Sequence, residues 1–237
     1  MEFNDKLIDN LNKIDIKISS EIADKFFLYM KELIDWNEKM NLTAIIEEND
    51  VILKHFVDSL TILKYIKNKE SIIDIGTGAG FPGIPIKIVN ENINLTLVDS
   101  LNKRVNFLKN IIQKLELNNI DAMHFRAEEL AMQKKHRESY DICTSRAVAN
   151  LSTLVEYMLP FVKVGGKCIC MKGSEIEEEL KESQKAIREL GGKVVKIDNI
   201  ILPNSDYERN IIVIEKITHT KLKYPRKAGI PAKDPIK

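Results

Sequence analysis

The 237-residue chain holds only three cysteines and four histidines. Cys143, Cys168 and Cys170 all lie inside apolar runs, so a disulfide framework is excluded and buried free thiols are expected. Cys168-Ile-Cys170 lacks the spacing of a zinc knuckle and the histidines are scattered, so no metal site is expected. No apolar run approaches the roughly 18 residues of a membrane span. The first residues, Met1-Glu-Phe-Asn-Asp-Lys6, show no basic-then-apolar signal pattern. A cytoplasmic location with no membrane partner is therefore expected. Also missing is any Gly-Lys-Ser/Thr after the glycine-rich turn, which excludes a P-loop. What remains is an ordinary globular composition, 44% hydrophobic and 30% charged, long enough for one large α/β domain with an extension. Nothing calls for an obligate dimer, and a monomer is expected.

The richest stretch is Ser71-Ile-Ile-Asp74-Ile-Gly76-Thr-Gly78-Ala-Gly80-Phe81-Pro-Gly83, followed by Leu95-Thr-Leu-Val-Asp99. A short apolar strand runs into a glycine-dense turn, and a second strand ends in a carboxylate. Glycine lets backbone turn tightly and approach a ligand closely. A carboxylate at the end of the next strand is placed to take the two hydroxyls of a ribose. Two spacings fit: Gly78, Gly80 and Gly83 match the dinucleotide fingerprint, and Asp74-x-Gly76-x-Gly78-x-Gly80 sets an acidic residue before three glycines. Both point to an adenosine-type cofactor at the carboxyl edge of a parallel sheet.

Residues 1–70 read as a helical extension. One apolar stripe joins Phe26, Phe27, Met30, Leu33, Ile34 and Asn37, and a second helix is predicted from Glu48 to Lys67, with Ile52, Phe56, Leu60 and Leu63 on one face. Residues 71–217 alternate strand and helix. Strands are predicted at 71–75, 95–99, 121–126, 140–145, 166–172, 193–202 and 209–217. Strands separated by helices imply right-handed crossovers and a mostly parallel sheet. Gly165-Gly166 and Gly191-Gly192 are read as helix ends. The last two strands have no helix between them and form an antiparallel hairpin. The expected fold is thus an α/β, Rossmann-like sheet of seven strands with the last antiparallel. Residues 218–237 form a basic, proline-containing tail, read as extended and without order unless partnered. Residues 216–237 carry seven Lys/Arg against one Asp in a chain of net charge +1, which suggests contact with polyphosphate.

The Asp74-to-Gly80 pattern resembles the first motif of class I S-adenosylmethionine (SAM) methyltransferases. Further segments are similar to the small-subunit ribosomal RNA guanine-N7 methyltransferase family, also called glucose-inhibited division protein B. They are Trp36-Asn37 with Met40-Asn-Leu-Thr43, His55-Phe-Val-Asp58-Ser-Leu60, Asp74 to Pro85, Leu97 to Leu108 with its Asp-Ser-Leu-x-Lys-Arg core, Ser145-Arg-Ala147, Lys172-Gly173 and Tyr224-Pro-Arg-Lys-Ala-Gly-Ile-Pro231. The resemblance runs from about residue 25 to the C-terminus. It implies SAM as cofactor and 16S ribosomal RNA of the small ribosomal subunit as partner. It implies cofactor contacts at Gly76, Phe81, Ala127, Glu128 and Arg146; Asp99 is the ribose ligand by both routes, and Asp74 and Gly78 come from the general methyltransferase pattern. Glu128 follows the third strand and can accept from the adenine amino group, while Arg146 stands just past the fourth strand. No catalytic residue is expected, because guanine N7 carries an in-plane lone pair and no proton at neutral pH. Thr144-Ser-Arg-Ala stands where exocyclic-amine methyltransferases carry Asn/Asp-Pro-Pro-aromatic, and Cys143 lies inside a strand, unlike a cytosine-C5 nucleophile. RNA contacts are expected at Lys103, Arg104, Lys172, Lys221, Lys223, Arg226 and Lys227, with Tyr224 stacking on a base. The alternatives are a class I methyltransferase with another acceptor, a non-catalytic ribosomal RNA-binding assembly factor and, more distantly, a nicotinamide dehydrogenase.

Overall fold

The computed structural model describes residues 2–146 and 148–237. Its centre is a seven-stranded sheet: β1 Ser71–Ile75, β2 Asn94–Asp99, β3 Ile120–His124, β4 Tyr140–Arg146, β5 Val162–Lys172, β6 Gly192–Ile201 and β7 Glu208–Lys216. The strand order is β3-β2-β1-β4-β5-β7-β6. The pairings β1 to β2, β1 to β4, β2 to β3 and β4 to β5 are parallel, and β7 runs antiparallel between β5 and β6. Strand order reverses between β1 and β4, the switch point where ligands of open α/β sheets bind beyond the carboxyl ends.

Alternate residues of each strand serve two cores, as the two-residue period of a strand requires. Ile72, Leu95, Leu97, Ile142 and Ile169 face one side, and Ile73, Ile75, Val98, Cys143 and Cys168 face the other. The first side is covered by α1 Phe3–Asn12, α2 Ser20–Met40, α5 Gly83–Val89 and α6 Asn102–Lys114. Phe3, Leu7, Phe26, Tyr29 and Phe56 of the N-terminal extension share a core with the sheet residues Ile72 and Leu97. The second side is covered by α7 Ala127–Leu130, α8 Leu151–Met158 and α9 Glu177–Glu189. α2 starts at Ser19, whose Oγ accepts from the Ile22 N–H, and stops at Asn41 in the left-handed conformation. On its inner face the expected stripe holds for Phe26, Met30 and Leu33, whereas Phe27 is exposed and Tyr29 is fully buried instead.

Three expectations are corrected. The helix predicted over 48–67 is broken into α3 Glu48–Asp50, a π-helix over Val51–Val57, α4 Asp58–Leu60 and a 3₁₀ turn at Leu63–Tyr65. In the π segment the Asp58 N–H reaches back five residues to the Leu53 carbonyl, and the Lys54 carbonyl accepts from Arg146 instead. Gly165-Gly166 is not a helix end. It lies inside β5, where the pairing jumps from Tyr140↔Val162 to Ile142↔Lys167 and a Cβ on Gly166 would stand 2.6 Å from the Asp141 carbonyl oxygen. Gly191, by contrast, does follow a helix with φ +87°. The C-terminal tail is folded onto α8 and ends in α10, Ile230–Lys233. Its polar partners are described below.

Candidate active site

The glycine loop leaves β1 at Ile75. The N–H groups of Gly76 and Thr77 both donate to the Val98 carbonyl, at 2.9 and 3.1 Å, which draws the loop across the end of β2. Gly76 has φ +66°, and a Cβ there would lie 2.6 Å from Val148, so this position admits only glycine. At Gly83 a Cβ would meet Leu97 at 2.5 Å and the Asp74 carboxylate at 2.9 Å, so a side chain would lift α5 off the sheet.

Asp74 is fully buried beneath this loop. Its Oδ2 accepts from Thr77 Oγ1 at 2.6 Å and from the Gly83 N–H at 2.9 Å, while Oδ1 has no hydrogen-bond partner among the described residues. Burial pushes its pKa up to about 7, against the opposing pull of the Thr77 and Gly83 hydrogen bonds. Asp74 therefore presents no surface to the cleft: it braces the loop and the start of α5.

Beyond the strand ends lies a cleft of about 150 Å³ lined by Gly76, Asp99, Ala127, Glu128, Val148 and Tyr157, among others. Asp99 Oδ2 accepts from the Gly78 N–H at 3.0 Å and Oδ1 from the Leu101 N–H at 2.9 Å, with Arg104 Nη1 3.4 Å from Oδ2. These contacts aim the carboxylate at the loop. Glu128, almost wholly buried, accepts from the Gly229 N–H at 2.9 Å through Oε1.

Arg146 and Phe81 belong to an adjoining cluster on the other side of the loop. Arg146 Nη1 donates to the Lys54 carbonyl at 2.9 Å and to Asp58 Oδ2 at 3.0 Å; Nη2 donates to His55 Nδ1 at 3.1 Å. With Nδ1 accepting, the His55 proton sits on Nε2 and points at Thr43 Oγ1, 2.9 Å away. Burial and the neighbouring guanidinium lower the His55 pKa to about 3, so the ring is neutral. The Phe81 ring stacks on His55 at 4.3 Å and on Tyr29 at 5.4 Å, with the Arg146 guanidinium 4.9 Å from its centre. Asp58 Oδ1 accepts from Arg209 Nε at 3.0 Å, which ties the start of β7 to the same knot.

The structure thus gathers Gly76, Asp99, Ala127 and Glu128 at one cleft, with Gly78 bonded to Asp99. Phe81 and Arg146 lie in the adjoining cluster and Asp74 lies underneath. Sequence reasoning gave no role to Val148 or Tyr157, nor to His55, Asp58 and Arg209. Their signal was present: Asp58 and His55 interrupt an apolar helical stripe, and a buried charge in such a stripe needs a partner.

The expected RNA contacts separate into two groups. Tyr224 is buried and offers no free ring face to a base. Arg226 is spent on the fully buried Glu156, Lys172 pairs with Glu179 and the Ala149 carbonyl, and Arg104 points at Asp99. Each of these three cations has a carboxylate partner within the fold. Lys103, Lys221, Lys223 and Lys227 remain exposed. Lys103 Nζ donates to the Met40 carbonyl at the end of α2, where the helix dipole favours a cation. Lys221 and Lys223 share Glu189 in solvent-exposed pairs. Among the described residues no group of three His, Cys, Asp or Glu could hold a metal, and no helix is long and apolar enough to cross a membrane.

This strand order, with a glycine loop after β1 and a carboxylate ending β2, defines the class I SAM methyltransferase fold. Solved structures share it. One is TYW2 of M. jannaschii in complex with AdoMet (TM-score 0.55, 14% identity, 68% of this chain and 76% of that one). Another is a SAM-dependent methyltransferase from Aquifex aeolicus (TM-score 0.51, 18% identity, 67% and 90%). The family model described as GidB, rRNA small subunit methyltransferase G, matches residues 22–211. The ribosomal RNA small subunit methyltransferase G of Alkaliphilus metalliredigens is 51% identical over 239 residues, covering both chains fully. That of Acetivibrio thermocellus is 50% identical over 231 residues, 97% of this chain and 95% of its own. The chain belongs to the rRNA small subunit methyltransferase G family.

Proposed function

We propose that the chain methylates N7 of a guanine in 16S ribosomal RNA of the small ribosomal subunit, using SAM, in the cytoplasm and as a monomer. The observation that carries the cofactor part is the Asp99 carboxylate, oriented by two backbone N–H groups at the mouth of the glycine loop. The residues fit a nucleoside cofactor. Gly76 lines the cleft with bare backbone, Asp99 supplies acceptors for two ribose hydroxyls, and Glu128 supplies an acceptor for an amino group. When bound, SAM supplies an electrophilic methyl group.

The chain's own part is binding, alignment and electrostatics. Asp99, Glu128 and Ala127 would hold the nucleoside, with Gly76 and Gly78 beside it. Asp74 keeps the loop in place from below. Phe81 and Arg146 would form the wall nearest the switch point, and contacts to His55, Asp58 and Tyr29 position them. N7 needs no deprotonation, and alignment of an in-line displacement can supply most of the rate enhancement. The neutral His55, with its Nδ1 occupied by Arg146, is a positioning residue and not a base.

The test is transfer of labelled methyl from SAM to small subunits isolated from cells lacking the gene, mapped by borohydride–aniline cleavage. One strong band absent from the unreacted control is expected. Transfer to no ribosomal RNA, with cofactor binding intact, refutes the acceptor. Asp99→Ala removes charge-assisted bonds of about 1.5–3 kcal/mol each, so cofactor affinity should drop roughly a hundredfold or more by calorimetry. An unchanged affinity would remove Asp99 from the site.

A further inference from the structure

The segment after β7 makes a chain of contacts that ends inside the cleft. Arg137 of the 131–139 loop anchors its start, donating to the carbonyls of Thr220 and Tyr224, both at 2.8 Å. Arg226 then grips Glu156 of α8: Nη2 to Oε2 is 2.7 Å, Nε to Oε1 is 3.0 Å, and the Arg226 backbone N–H adds a third bond to Oε1 at 2.8 Å. Thr153 Oγ1, one turn earlier on α8, donates to the Pro231 carbonyl at 3.0 Å. Between these anchors Gly229 turns with φ +83° and delivers its N–H to Glu128 Oε1. Oε2 of Glu128 has no hydrogen-bond partner among the described residues. Tyr157, next to Glu156 on α8, lines the same cleft.

We propose that this C-terminal strap, residues 220–231, is a built part of the cofactor site: by pinning one oxygen of Glu128 it fixes the other as an acceptor and so sets the preference for a 6-amino purine. The inference rests on the reading that Glu128 meets the adenine of the cofactor. It gives the backbone of the strap a positioning role, separate from any RNA contact made by its exposed lysines. A carboxylate held by one oxygen accepts from the amino group of adenine and repels the 6-oxo group of hypoxanthine, whereas an unpinned carboxylate can rotate or withdraw. A site built around one hydrogen-bonding partner rejects the analogue that lacks it.

The experiment is calorimetry of S-adenosylhomocysteine and S-inosylhomocysteine on the full chain and on three variants. Gly229→Ala strains the left-handed turn without a clash, since nothing lies within 4 Å of the added Cβ, and so displaces the N–H. Arg226→Lys keeps the charge on Glu156 but loses the fork. Both should bind S-adenosylhomocysteine about tenfold more weakly and lose most of the preference over the inosine analogue, with affinity for a 16S RNA fragment and its salt slope unchanged. Glu128→Gln replaces the free acceptor with a donor and should invert the preference. A folded Gly229→Ala chain with unaltered affinity and preference overturns the strap's role while leaving Glu128 in place. Loss of RNA affinity with unaltered cofactor binding overturns it in favour of an RNA arm. An unaltered preference in Glu128→Gln shows instead that Glu128 does not read the purine, and the underlying reading fails with the proposal.

Discussion

Two buried side chains at the loop carry opposed proton linkages. Asp74 has a pKa raised from 3.8 to about 7, so between those values the folded chain keeps a proton that the unfolded chain has lost. Its contribution is present below the lower value and is lost as pH rises through the upper one. His55 has a pKa lowered from 6.5 to about 3, so its contribution is present above 6.5 and is lost as pH falls toward 3. Each slope approaches about 1.4 kcal/mol per pH unit at most, and the two oppose one another between roughly pH 4 and 6.5. The wild-type melting temperature should therefore change little across that window on account of this pair. Asp74→Asn keeps an acceptor for Thr77 and Gly83 and leaves His55 uncompensated, so its melting temperature should fall on acidification below 6.5. His55→Gln should show the reverse, falling as pH rises from 4 to 7. Two variants with identical pH profiles would mean that these burials do not titrate as the geometry implies. The sequence marked Asp74 through its place in a glycine motif; its burial and its bonds to Thr77 and Gly83 add a bracing role that the motif did not show.

The elements that were legible were those whose residues follow one period. All seven strands sit within a few residues of their expected places, since Ile-Ile-x-Ile and Leu-Thr-Leu-Val runs bounded by glycine and asparagine have one reading. The segments that were not legible depend on a partner remote in sequence. Residues 51–57 have helical periodicity, but Arg146 takes the Lys54 carbonyl and the turn widens to five residues. The tail looked unstructured because it has three prolines and no apolar period; what fixes it is Glu156, the one charged residue of α8, more than sixty residues upstream. A buried carboxylate with a single arginine makes a specific prediction. Arg226→Met alone leaves Glu156 charged and unpaired and should cost about 3–5 kcal/mol. Adding Glu156→Leu removes the stranded charge, and the double variant should regain most of that loss, read as melting temperature. If Arg226→Met melts with the wild type, the strap is not docked through this pair.

At the scale of the whole molecule, the structure redistributes the basic residues that the composition had pooled. The +6 of residues 216–237 suggested an arm for polyphosphate, yet Arg226 and Lys216 are folded inward on Glu156 and Glu138. Lys221, Lys223 and Lys227 are left on the surface, and the Glu189 that meets the first two is too exposed to hold them against a phosphate. Cofactor binding and RNA binding should then respond to salt differently. The two cleft carboxylates, Asp99 and Glu128, are buried and bonded to backbone N–H groups, whereas RNA contacts release counterions. Replacing Lys221, Lys223 and Lys227 with Gln should reduce the slope of log affinity against log salt by about 0.7–0.9 per lysine, so by roughly two to three for the set. The Kd for S-adenosylhomocysteine should not change. Lys172→Gln is the contrasting case: its ammonium is held by Glu179 and the Ala149 carbonyl, so it should lower the melting temperature and leave the slope alone. A triple variant with the wild-type slope would place the RNA on another face, with the exposed Lys103 at the junction of α2 and α6 the next cation to replace.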